Sequence, residues 1–106
     1  DTMDYYERLA ANNGGMAATQ SFARTFLVPG MNHCSGGPAT DNFDSVQAMV
    51  DWVEKGVAPD TIAAKALPAN TFMPNRTRPL CAYPQFAKYK GSGNVEDASS
   101  FVCAAE

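Results

Sequence analysis

Five of the seven prolines in this 106-residue chain, Pro59, Pro68, Pro74, Pro79 and Pro84, fall between residues 57 and 95. Each fixes its own φ and removes a backbone donor, so neither a long helix nor a central strand can run through that stretch. Apolar residues there repeat with little period. The second half is therefore expected to hold loops and short strands, with residues 61–66 as a short extended segment, and to have little core of its own. A bridge between Cys81 and Cys103 would close a loop of about 22 residues, worth about 3 kcal/mol by chain entropy. The tail would then be stapled rather than packed.

The first half is punctuated like an α/β protein. Residues 4–11 read as a short helix, with Met3, Tyr6, Leu9 and Ala10 on one face. Asp1, Thr2 or Asp4 can cap its start, and Gly14-Gly15 ends it. Residues 21–28 (SFARTFLV) form a mostly apolar run of strand length, stopped by Pro29-Gly30. Such continuity fits a strand buried on both faces, as in a parallel sheet. A second helix follows. Asp44 is its N-cap with Gln47 three residues on, Val46, Met49, Val50 and Val53 repeat at helical spacing, and Gly56 then Pro59 stop it. The order helix, strand, loop, helix predicts an α/β fold and the edge of a doubly wound sheet.

Charge narrows the function classes. Eight basic against eleven acidic residues give a net charge of −3, which argues against a surface that must neutralise phosphates, so no nucleic-acid partner is expected. No apolar run approaches the roughly 20 residues of a membrane span. No signal peptide is visible at the Asp1-Thr2-Met3-Asp4 opening. Residues 1–60 carry eight of the acids and residues 61–106 five of the bases, without runs of like charge, so the asymmetry reads as ordinary solvated surface.

One position can do acid–base chemistry near neutrality. His33 is the sole histidine, on the Gly-rich loop 29–37 that follows the apolar run. A lone loop histidine can equally be plain surface. Read as the base of an α/β-hydrolase it is well placed, because in that fold the base follows the last strand and the triad runs serine, acid, histidine along the chain. Ser35 lacks the glycine two residues before it that a nucleophile elbow needs, and no other serine has the pattern, so the chain holds no nucleophile. Asp41 and Asp44 come after the histidine, in the wrong order for the acid, and Asp1 and Asp4 are better explained as helix caps.

Three cysteines make an odd count, with no close pair of the kind a zinc site needs. Cys34 is either free or paired with polypeptide outside this chain. As a catalytic thiol it is awkward, because nucleophile and base normally come from separate elements. A redox or metal role would need a second ligand nearby, and none is found.

Residues 26–37 (FLVPGMNHCSGG) resemble the histidine motif of the tannase/feruloyl esterase family. The resemblance continues through residues 50–59 (VDWVEKGVAP), 76–85 (RTRPLCAYPQ), 89–93 (YKGSG) and 101–103 (FVC), in the family's order, and residues 1–9 (DTMDYYERL) resemble bacterial members. Ala82 departs from the usual proline, with no functional consequence expected.

The resemblance implies a secreted or periplasmic serine esterase with an α/β-hydrolase core and an inserted lid. Its substrates would be aromatic carboxylic esters of gallate, ferulate or terephthalate type. His33 matches the family's base. Cys34 matches a cysteine bridged to one just before the nucleophilic serine, and Cys81 and Cys103 match a second, local disulfide. The serine, the oxyanion hole, the acid, the lid and its structural calcium would all precede residue 1. On this reading residues 1–106 are the C-terminal part of an α/β-hydrolase catalytic domain: helix, last core strand, histidine loop, helix, then a disulfide-stapled irregular tail. The partners are the missing N-terminal portion and the ester substrate, no cofactor sits in this segment, and the chain alone is inactive. The competing reading is a non-catalytic, disulfide-stapled secreted binding module. Asn75-Arg76-Thr77 is also a glycosylation sequon.

Overall fold

The computed structural model describes residues 1–105. Helix α1 spans Thr2–Asn12 and begins in a reciprocal cap: the Asp4 amide donates to the Asp1 carboxylate at 3.0 Å, and the Asp4 carboxylate accepts from the Asp1 nitrogen. Tyr6 and Ala10 are its buried residues, on the face expected. A second helix, α2 (Met16–Gln20), follows at once. Gly14 and Gly15, expected only to end α1, hold φ of 84° and 100° and redirect the chain into a new helical turn of good helix formers.

Among the described residues the run 21–28 forms no ladder of strand pairs. Ser21 and Phe22 continue α2 as a turn, and beyond them the run's one β-bridge among the described residues is antiparallel, Phe26 to Ala82. Phe22 and Leu27 are exposed. A strand is buried on both faces only where other elements cover both of them, and among the described residues one side of this run is covered, where Phe26 and Val28 pack against the core. Every strand pairing among the described residues is antiparallel.

The tail is stapled but not irregular. Strand β1 (Asn42–Phe43) leads into helix α3 (Ser45–Lys55), and β2 (Thr61–Lys65), β3 (Thr77–Cys81), β4 (Phe86–Tyr89) and β5 (Phe101–Ala104) follow. β1, β2 and β3 form one sheet in that order, with Ile62 opposite Leu80 and Ala64 opposite Arg78. β4 and β5 form a hairpin-like pair. β2 alternates exposed and buried residues, with Ile62 and Ala64 inward, so a short period-2 pattern carries it despite the prolines. Pro79 is tolerated within β3 because a short sheet leaves edge positions whose donor is not required.

Ile62, Ala64 and Leu80 make the core, with Phe26, Val28, Phe43 and Ala48 packed against it. The disulfide Cys81–Cys103, with Cα atoms 5.6 Å apart, joins β3 to β5 and so ties the two sheets. α3 starts at the expected N-cap, where the Gln47 amide donates to Asp44 at 2.8 Å, and ends at Gly56 in the left-handed region. Its apolar stripe, however, faces away from this core. Val46, Met49 and Val53 are 72%, 56% and 76% exposed, and Ala48 is the residue that touches the core.

Candidate active site

His33 sits at the tip of a loop whose stem is fixed by backbone geometry. The Asn32 amide donates to the Gly36 carbonyl at 3.0 Å, and the Ala39 amide donates to Gly37 at 2.9 Å. The two sides approach so closely that a Cβ on Gly30 would strike the Pro38 carbonyl oxygen, and one on Gly37 would meet the Gly30 carbonyl. Both glycines also hold positive φ, of 78° and 85°, which only glycine adopts without strain. The Gly-rich composition of the loop is thus a packing requirement.

Side chains outside the motif pin it further. Asp41, set aside as a triad acid, accepts from the Gly36 amide at 2.6 Å and is half-buried. Asn70 donates to the Gly37 carbonyl at 3.1 Å, while its Oδ1 accepts from the amides of Phe72 and Met73. Ala39 and Thr40 are buried at the base of the stem. Sequence reasoning missed Asn70. The available signal was its place after Pro68, in the Asx-turn position that asparagine favours.

The approach to the loop is held from both sides. Tyr6 donates its hydroxyl to Ala23 at 2.8 Å, and the Tyr83 amide donates to Thr25 at 2.8 Å. The Arg24 guanidinium donates to the Pro59 carbonyl and to Asp60, and lies 5.6 Å over the Trp52 ring. α1, the segment after α3 and the segment after β3 therefore converge on residues 23–26.

At the tip, His33, Cys34 and Ser35 are all exposed. Cys34 is a free thiol whose Sγ lies 2.9 Å from Nδ1 of His33. The two side chains meet although they come from adjacent residues. Side chains of neighbouring extended residues point apart, but Cys34 has a left-handed φ of 71°, which breaks that alternation. Among the described residues no protein group contacts Nε2 of His33. Asp1, Asp4 and Asp44 are spent on helix caps. Among the described residues no group of three or more His, Cys, Asp or Glu side chains gathers that could hold a metal ion. No described helix is long and apolar enough to cross a membrane.

The chain resembles known proteins in sequence and in fold. The family profile described as tannase and feruloyl esterase matches residues 1–104. Mono(2-hydroxyethyl) terephthalate hydrolase of Piscinibacter sakaiensis is 58% identical over 106 residues, which is 99% of this chain and 17% of that protein. The crystal structure of an esterase from Aspergillus oryzae matches with a TM-score of 0.82 at 32% identity, covering 97% of this chain and 24% of that one. Feruloyl esterase B from the same organism matches with a TM-score of 0.78 at 31% identity, covering 97% and 23%. The chain thus spans less than a quarter of the length of each of these relatives. With a match across nearly all of its residues, it belongs to the tannase and feruloyl esterase family.

Proposed function

We propose that these residues form the C-terminal, histidine-bearing part of a secreted or periplasmic serine esterase acting on aromatic carboxylic esters. The observation that carries this reading is the family match over residues 1–104 together with a sole histidine on a braced, exposed loop. The outward stripe of α3 supports it too. A helix that turns Val46, Met49, Val53 and the neighbouring Val57 to solvent is the natural contact face for further polypeptide of the same protein.

In this reading the serine and the acid come from that polypeptide. His33 Nε2 takes the serine proton as the hydroxyl attacks the ester carbonyl, then returns it to the departing alcohol, and water repeats the cycle on the acyl-enzyme. The acid belongs on Nδ1, where it would hold the ring in the needed tautomer. Cys34, bridged to a cysteine near the serine, would fix the tip against it, and the braces at Gly30, Gly37, Asp41 and Asn70 spare the loop an ordering cost. The Cys81–Cys103 disulfide fits an oxidising compartment.

The test has two arms. The 106-residue chain alone, assayed on methyl gallate, methyl ferulate and a nitrophenyl ester, shows no turnover above a His33→Ala control. In the protein with its preceding sequence, His33→Ala lowers kcat by at least about 10³-fold. Turnover by the short chain, or an indifferent His33→Ala in the long one, overturns the proposal.

A further inference from the structure

The chain leaves the His33 tip through Gly36 and Gly37, two consecutive glycines at φ of 81° and 85°. Close approach of the two arms requires glycine at 37, but glycine also loses the most freedom on being ordered. An exit arm built of two of them keeps one path only if outside groups fix its peptides. Two side chains do so. The Gly36 amide donates to Oδ2 of Asp41 at 2.6 Å, while the Gly36 carbonyl accepts from the Asn32 amide at 3.0 Å and closes the turn that carries His33, Cys34 and Ser35. Both backbone groups of Gly36 are therefore spent, one across the turn and one on Asp41. The Gly37 carbonyl accepts from the Ala39 amide at 2.9 Å and from Nδ2 of Asn70 at 3.1 Å.

Asn70 is matched to its place. Its Oδ1 accepts from the Phe72 and Met73 amides at 2.9 and 3.0 Å, and Nδ2 donates to the carbonyls of Gly37 and, at 3.5 Å, Ala39. An asparagine amide has two donors and two lone pairs, and all four are used. Two N–H groups on one side and two carbonyls on the other admit one orientation of that amide and disfavour a carboxylate. The two braces also share an origin. Asp41 directly precedes β1, and Asn42 of β1 stands opposite Lys65 at the end of β2. Asn70 lies in the connection from β2 to β3, which the Ala66 amide closes at its base by donating to the Arg76 carbonyl at 2.8 Å. Both therefore come from one end of the three-stranded sheet, and the histidine loop is referred to a rigid element.

We propose that Asp41 and Asn70 are positioning residues for His33: Asp41 sets the Gly36 peptide, Asn70 sets the Gly37 carbonyl, and together they fix where the ring is presented. Both act through the backbone of the exit arm, not on the ring itself. The assignment rests on the reading of His33 as the esterase's base. A displacement of about 1 Å in such a group costs about 10²-fold in rate, so a loosened exit arm shows in kcat and leaves KM nearly as it was.

The test compares Asn70→Asp with Asp41→Ala and Asp41→Asn. Asn70→Asp keeps the acceptor for Phe72 and Met73 but sets a carboxylate oxygen against the Gly37 and Ala39 carbonyls. In the 106-residue chain it should shift and broaden the NMR signals of the Gly36 and Gly37 amides and of the His33 ring, with those of α1 and α3 unmoved. In the protein with its preceding sequence, Asn70→Asp and Asp41→Ala should each lower kcat by about 10–100-fold, with KM within about twofold. Asp41→Asn, which keeps an acceptor for the Gly36 amide, should recover most of the Asp41→Ala loss. That Asp41 pair decides the matter even if Asn70→Asp fails to fold. Unmoved His33 signals, an Asp41→Asn no better than Asp41→Ala, or an undiminished kcat in a protein that His33→Ala inactivates overturns the proposal. An indifferent His33→Ala would instead sink the esterase reading, and the His33 signals of the short chain would still decide the positioning.

Discussion

Sγ of Cys34 and Nδ1 of His33 lie 2.9 Å apart, on adjacent residues brought together by a left-handed backbone at the cysteine. The thiol therefore occupies the ring nitrogen that a triad acid would use. Bridging the sulfur to another cysteine would remove its proton and its claim on Nδ1, so the redox state of Cys34 and the orientation of the base are coupled by contact. Cys34→Ala should shift the Nδ1 resonance of His33 in a proton–nitrogen correlation spectrum while leaving the amide pattern of α1 and β2 unchanged. An unmoved Nδ1 signal would show that the contact does not persist in solution.

Thiol accessibility follows from the same geometry. Cys34 is exposed and free, whereas Cys81 and Cys103 are bridged. On the 106-residue chain by itself, iodoacetamide under native, non-reducing conditions should add one group, at Cys34, and after reduction and unfolding it should add three. Intact-mass measurement decides, and labelling at Cys81 without reductant would contradict the bridge. Cys81→Ala with Cys103→Ala should cost about 3 kcal/mol in urea unfolding, the chain-entropy value for a loop of this size.

The loop stem is a sharper target than the tip. Gly30→Ala puts a Cβ against the Pro38 carbonyl and forces a residue with a side chain to φ of 78°. A destabilisation of about 1–3 kcal/mol is expected, concentrated in the loop. Gly56→Ala also asks for a left-handed alanine, at φ of 68°, but meets nothing within 4 Å, so about 1 kcal/mol is expected there. Amide exchange should separate them: residues 30–40 lose protection in the first variant and the end of α3 in the second.

Acid should weaken the tail through one pair. The Arg76 guanidinium hydrogen-bonds Glu96 and holds its carboxyl below the ordinary value of 4.5. The folded value lies under the unfolded one, so the pair's contribution is present above pH 4.5 and is lost as pH falls from there through the lowered value. Unfolding midpoints between pH 6 and pH 3 should drop less steeply in Glu96→Gln than in the native protein. Parallel curves would mean that the pair contributes nothing measurable, as exposed pairs often do.

Much of this architecture was legible locally. Asp44, Gly56 and the period of α3 depend on near-neighbour rules, and they fall where those rules put them. For residues 21–28 an apolar run reports how much surface needs covering, not who covers it; the one bridge from Phe26 reaches Ala82, far along the chain. The same blindness applied to α3, whose stripe is visible in sequence while its outward direction is a tertiary fact. β3 was obscured because Pro79 argues against a central strand, yet the sheet is short enough to admit it. At the site, His33 and the glycines announced themselves by residue type. The braces from Asp41 and Asn70 needed coordinates because their partners are carbonyls and amides that leave no mark in composition.

The outward valines and methionine of α3 also govern how the isolated polypeptide behaves in a tube. Salting-out anions such as sulfate strengthen the drive to hide apolar surface, so a polypeptide presenting this helix should clump first in ammonium sulfate and last in dilute, low-salt buffer. Replacing Val46 and Val53 with lysine should rescue it without touching the sheet beneath.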